Sequence, residues 1–84
     1  MYAVVIVRSA QKEIRDLDTV TRSRVIATLR KLAEEPRPPG CKKLVGSRDL
    51  WRVRVGEYRV VYCIDDAKQA IEIRVVRHRS AAYE

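Results

Sequence analysis

Hydrophobic and polar positions change period along the chain, from helical spacing in the N-terminal part to strict alternation beyond Leu50. The opening run Tyr2-Ala-Val-Val-Ile-Val7 is apolar and β-branched on both parities. This pattern predicts a strand covered on both faces or lying centrally in a sheet. Ser9 then offers a helix cap, and Ala10, Ile14 and Leu17 recur at helical spacing, so that one stripe faces a core. Asp18 and Thr19 offer a second cap. The segment after them places Ile26, Leu29, Leu32 and Ala33 on one face until Pro36 stops the helix. Two successive helices form a hairpin.

Residues 36–49 carry Pro36, Pro38, Pro39, Gly40 and Gly46, and read as a loop holding Lys42 and Lys43. From Leu50 the period is two. Trp51, Val53 and Val55 alternate with Arg52 and Arg54, and Tyr58, Val60, Tyr62 and Ile64 follow with Arg59 between them. A third strand, Ile71 to Val76, comes after the Asp65-Asp66 turn and runs into a polar tail that ends near Tyr83. The expected class is α+β: an N-terminal strand, a two-helix hairpin, then three antiparallel strands with the helices on one face. Residues 1–84 are expected to form a single domain.

Composition sharpens this picture. Hydrophobic residues make up 46% of the 84 positions, ample for a packed interior. Two cysteines, Cys41 and Cys63, are too few for a disulfide framework. They form no Cys/His cluster at metal-ligand spacing, so neither a metal nor another cofactor is expected. A reducing, cytoplasmic setting fits this usage. Tyr2 to Val7 is too short for a membrane span or a signal core.

Charge points to a partner. Eighteen Lys and Arg against eleven Asp and Glu give a net charge of +7, which predicts an acidic ligand. The excess concentrates between residues 37 and 59, where Arg37, Lys42, Lys43, Arg48, Arg52, Arg54 and Arg59 face only Asp49 and Glu57.

The hairpin turns that excess into geometry. Gly56-Glu57 between alternating runs is the Gly-X pattern of a two-residue II′ turn, which sets Val55 against Tyr58. Arg54 then lies directly opposite Arg59, with Arg52 two residues along on the same face. Opposed like charges cost about 0.2 to 1 kcal/mol relative to a neutral pair, so folding alone does not account for them. Trp51, Val53, Val55, Tyr58 and Val60 take the other face, for the helices to cover. Arginine forks retain their charge and match phosphate oxygens, so the three make a preorganised phosphate site. Glu72 and Arg74 share the outer parity of the last strand, and a salt-bridged, solvated face is the competing reading. His78 is the only histidine, and its side-chain type alone titrates near neutrality. Tyr83 either stacks on a nucleobase or pins the terminus.

The order of elements resembles the RelE/ParE toxin superfamily. So do Lys43-Leu-Val-Gly46, Trp51-Arg-Val-Arg-Val-Gly-Glu-Tyr-Arg-Val-Val-Tyr62 and His78-Arg79 followed by Tyr83. The likeness spans nearly the whole chain. It implies a small curved sheet and, for RelE-like members, a ribosome-dependent mRNA endoribonuclease neutralised by a cognate antitoxin in a hetero-oligomer. It implies a catalytic set of Arg52, Arg54, Arg59, Arg79 and Tyr83, with His78 beside them. Lys42, Lys43, Arg74 and Arg77 are the further basic positions expected to meet RNA. The best-known RelE pattern has lysines where this chain has Arg52 and Arg54. Arginine cannot serve as a general base, so proton transfer passes to His78, to Tyr83 or to groups of the ribosome. Two alternatives share the fold: a ParE-like gyrase inhibitor, and a catalytically weak relative that only binds its antitoxin.

Overall fold

Each element begins where the chain can satisfy its own backbone. In the computed structural model, which describes residues 1–46 and 49–80, strand β1 (Ala3–Ile6) runs directly into helix α1 (Arg8–Arg15). Val7 is shared between them: its N–H donates to the Ile73 carbonyl at 3.1 Å, and its own carbonyl accepts from Gln11 at 2.9 Å. Val7 therefore occupies the cap position with no side-chain cap, and Ser9 lies inside the helix instead of capping it. Asp18 does cap helix α2 (Thr19–Glu34), accepting from the Thr21 N–H at 3.1 Å. Between the helices, Arg22 donates to the carbonyls of Arg15 and Leu17, closing the C-terminal end of α1.

The remaining elements are β2 (Lys42–Lys43), β3 (Leu50–Val55), β4 (Tyr58–Asp65) and β5 (Ala70–His78). They form a five-stranded sheet of order β1-β5-β4-β3-β2, in which β1 runs parallel to β5 and the other pairs are antiparallel. The α+β architecture expected from the pattern is present, with two departures. First, β1 is an edge strand rather than a central or doubly covered one, and Val5 is 56% exposed. β-branched residues suit any pleated backbone, so their presence on both parities reported strand formation and not burial. Second, the Pro/Gly-rich loop contains a fifth strand. Lys42 and Lys43 pair with Arg52 and Trp51 along the otherwise open side of β3. Two residues are too few to show alternation, so this strand exists only because β3 offers it partners.

One face of the sheet carries the core. Ala10, Ile14 and Leu17 of the first helical stripe and Val25, Leu29 and Leu32 of α2 cover Val55, Val60, Tyr62, Ile64, Ile71, Ile73 and Val76. Of the expected stripe of α2, Leu29 and Leu32 are buried, and Val25 takes the place of Ile26 beside them. Val25 is fully buried, while Ile26 and Ala33 are only half covered. Tyr62 is wholly buried, and its hydroxyl donates to the Pro36 carbonyl at 2.7 Å, fixing the chain just beyond α2. Burial pushes the Tyr62 phenol well above the usual tyrosine range. A second tie holds the same end of the sheet. Asp66 accepts from Arg37 at 2.9 Å and from the Tyr2 hydroxyl at 2.7 Å, and the Arg37 guanidinium lies 5.0 Å from the centre of the Trp51 ring.

Candidate phosphate-binding site

The site is built by the β3–β4 hairpin. Gly56 has φ +59° while Glu57 stays out of the left-handed region, as a II′ turn requires. The register follows the expectation residue by residue: Val55 against Tyr58, Arg54 against Arg59, Val53 against Val60, and Arg52 against Val61. Pairs in an antiparallel ladder alternate, and the turn-closing pair Val55–Tyr58 is hydrogen-bonded. Arg54 and Arg59 are thus a non-hydrogen-bonded pair, the closer kind, with Cα atoms about 4.5 Å apart. Their side chains leave the face opposite the core.

Strand β2 adds a fourth cation. Because Lys42 pairs with Arg52, it shares the outer face, and Gly40, Lys42, Arg52, Arg54 and Arg59 line one pocket of about 180 Å³. Among the described residues that line it, none is a carboxylate. Arg52 and Arg59 are half-buried, Arg54 is exposed, and the Nε of Arg59 is closed off from solvent. Partial burial lowers the effective dielectric, so an anion entering here meets stronger fields than on an open surface. The positive φ of Gly40, +91°, turns the chain into β2 beside the pocket.

The other candidate residues fall elsewhere. Lys43 pairs with Trp51, which puts it on the opposite parity from Lys42. In β5 a bulge lets Val61 face Val75 while Tyr62 faces Ile73, leaving Arg74 as the extra residue. Arg74 binds Glu72 at 2.6 Å, the neutralising pair that the shared parity suggested. Beyond the bulge the parity is reset and Arg77 comes opposite Arg59, but its guanidinium turns to Glu13 of α1 at 2.6 Å. Glu13 also accepts from the Val76 N–H at 2.9 Å, covering β5 beyond the end of β1. Arg79 sits at the hairpin tip: its N–H donates to the Glu57 carbonyl at 2.8 Å and its Nε lies 3.2 Å from the Glu57 carboxylate.

His78 does not join the arginines. It pairs with Tyr58 on the helix-covered face, with ring centroids 5.5 Å apart and planes at 81°. Its Nδ1 lies 2.9 Å from the Ser80 Oγ and 3.3 Å from the Ser80 main-chain N. Tyr83 lies outside the described residues, as does Arg48. Sequence reasoning missed the roles of Glu13 and Glu57 as carboxylate partners of Arg77 and Arg79. The Glu57 contact could have been inferred by extending the hairpin register one strand further, whereas Glu13 carries no local signal.

A basic pocket on the outer face of such a hairpin, with a two-helix layer behind the sheet, defines a class that comparisons place. Residues 4–83 match the family model for the ParE toxin of the type II toxin–antitoxin system parDE. The chain is 30% identical over 76 residues to the RelE1 protein of Methanocaldococcus jannaschii, covering 87% of this chain and 84% of that one. Among solved structures, it is similar to the archaeal RelE–RelB complex of Pyrococcus horikoshii (TM-score 0.85, 29% identity, 95% and 97% of the two chains). It is likewise similar to the isolated E. coli RelE toxin (TM-score 0.83, 29% identity, 99% and 92% covered). The chain belongs to the RelE/ParE superfamily of type II toxin–antitoxin toxins.

Proposed function

We propose that residues 1–84 form one toxin domain that cuts mRNA on the ribosome, in the cytoplasm, and is neutralised by a cognate antitoxin. The observation that carries this reading is the convergence of Lys42, Arg52, Arg54 and Arg59 on one pocket. Four cations around one cavity suit a phosphodiester, and the cost of opposing Arg54 to Arg59 needs a ligand to explain it.

The reaction is attack of a ribose 2′-oxygen on its neighbouring phosphorus, with departure of the 5′-oxygen, leaving a cyclic phosphate and a free 5′-hydroxyl. Negative charge gathers on the phosphorane oxygens, where guanidinium groups fixed on a sheet stabilise it without reorganising. Arg79 can join them. Its pair with Glu57 is about half exposed on both sides, the kind of contact that holds weakly and yields to a phosphate. His78 faces away, so the proton of the 2′-hydroxyl goes to Tyr83 or to a group of the ribosome. RelE chains of P. horikoshii and E. coli are solved in complex with RelB antitoxins. An antitoxin here would mask the +7 chain with an acidic segment.

Sequencing RNA ends after brief induction tests this. Wild type should generate new 5′ ends in translated mRNA, and Arg59→Ala should reduce them by about 100-fold or more, the loss typical of one transition-state donor. Growth arrest with intact mRNA would reject the reading. The family match to ParE favours a second one, inhibition of a topoisomerase by binding alone. Trapped gyrase cleavage complexes together with normal translation would establish it instead.

A further inference from the structure

The arginine row of the outer face is longer than the pocket it forms. Arg54 stands opposite Arg59, and Arg59 stands opposite Arg77, so three arginine positions lie in line across β3, β4 and β5. Neighbouring strands are about 4.8 Å apart, which sets Arg77 one strand beyond Arg59 on the same face. Its side chain nonetheless leaves that face. Arg77 lines a hollow on the helix side together with Glu13, and its Nε lies 2.6 Å from a Glu13 carboxylate oxygen.

Two features of the fold create this contact. β1 pairs with β5 only from Ala70 to Ile73, so beside Val76 and Arg77 the edge of β5 faces α1 instead of a strand. An arginine can therefore reach round the edge. The same gap leaves the Val76 N–H without a partner in the sheet, and the other Glu13 oxygen accepts it at 2.9 Å. That main-chain bond places the carboxylate independently of Arg77. The Glu13 side chain is 22% exposed and that of Arg77 44%, so the carboxylate is sheltered while the cation keeps a path to solvent. An ion pair open on one side contributes little and can be exchanged for another.

We propose that Glu13 is a positioning residue that competes with RNA for Arg77. In the free protein Glu13 holds the guanidinium off the outer face, and on binding, the phosphate next to the one in the basic pocket takes it back. The inference rests on the nuclease reading above, and adds to it a carboxylate that touches no RNA yet sets how tightly RNA is held. Binding must break the Glu13–Arg77 contact, so affinity is lowered by the strength of that contact. Once RNA is bound the guanidinium is already on the phosphate, so the chemical step is not affected. Glu13 acts on binding and leaves turnover alone.

Glu13→Gln keeps an oxygen for the Val76 N–H and removes the charge that holds Arg77. For mRNA cutting on ribosomes, KM should fall about fivefold with kcat unchanged, the most that an exposed ion pair supplies. Binding of a fully 2′-O-methylated single-stranded RNA, which cannot be cut, should tighten by the same factor. In an Arg77→Ala background Glu13→Gln should change neither quantity. The slope of log affinity against log salt should also be shallower by about 0.7 in that double variant than in Glu13→Gln alone, the share of one phosphate contact. Glu13→Asp retains the charge but is too short to span Val76 and Arg77. It should tighten binding too, and it carries the test where loss of the charge unfolds the chain. Unchanged affinity in the Glu13 variants, tightening that survives Arg77→Ala, or a salt slope that does not depend on Arg77 overturns the proposal. A reduced kcat in Glu13→Gln overturns it as well and assigns Glu13 to the fold. A wild type that cuts no mRNA overturns the nuclease reading, while binding of the methylated RNA still decides the role of Glu13.

Discussion

The two faces of this sheet come from the same three strands, residue by alternate residue, yet they obey different rules. On the inner face Val55, Val60, Tyr62, Ile64, Ile71, Ile73 and Val76 are nearly or wholly buried under two helices, and every one of them contributes to folding. On the outer face the same hairpin opposes Arg54 to Arg59 and adds Arg52 and Lys42 around one pocket, an arrangement that costs stability. Among the described residues, three carboxylates pair with arginines at the margins of this face: Glu72 with Arg74, Glu13 with Arg77, Glu57 with Arg79. A face that folding would not choose, held in place by a face that folding does choose, is the feature on which the proposed phosphate site rests.

Substitutions should separate the faces, and the largest effect is expected within the core. Tyr62→Ala removes a fully buried ring and should lower unfolding free energy by about 3 to 5 kcal/mol in urea denaturation. A loss under about 1 kcal/mol would show that the inner face is not the folding face. Arg54→Ala should have the reverse profile. RNA cutting falls by about 100-fold, while the urea midpoint rises, by about 0.2 to 1 kcal/mol in stability, as the opposed charge is relieved. Reduced stability here would mean that the arginine pair serves the fold.

Gly56→Ala touches both faces, because the turn sets the register that divides them. With φ at +59° an alanine is strained by about 1 to 2 kcal/mol, and its Cβ would lie 3.2 Å from the flexible Arg24 Nη1. Gly56→Asn should recover part of that loss, since asparagine tolerates this conformation better. The smallest effect belongs to the edge of the sheet. Hydrogen bonds from Arg37, and then from Tyr2, hold the Asp66 carboxyl below the usual carboxylate range. A depressed folded value contributes stability above the unfolded value, and that contribution is lost as pH falls through the folded one. The Tm gap between wild type and Asp66→Asn should accordingly be open at neutral pH and close only below the ordinary carboxylate range. A gap that persists in strong acid would show that the contact acts through packing rather than charge.

Much of this was legible because the hairpin is local. Gly56-Glu57 sets the register across two residues, and from it the opposition of Arg54 to Arg59 follows by counting. The helical stripe of Ala10, Ile14 and Leu17 and the Asp18 cap are likewise short-range matters. His78 was harder to place. Its parity in β5 depends on the bulge at Arg74, which displaces every later side chain by one face and leaves no mark in the residue pattern. Ser9 looked like a cap because capping residues are favourable, but the parallel pairing of β1 with β5 started the helix two residues earlier.

Order along the chain and alternation within it determined the element types, the hairpin register and the existence of a clustered arginine face, since all three depend on neighbours a few residues apart. Tertiary structure decided that β1 lies at an edge, that Lys42 completes the pocket while Lys43 turns away, and that His78 stands on the far side of the sheet from the arginines. Those outcomes depend on which distant strand supplies hydrogen-bond partners, and a backbone donor looks the same in every residue of a sequence until the strand beside it is known.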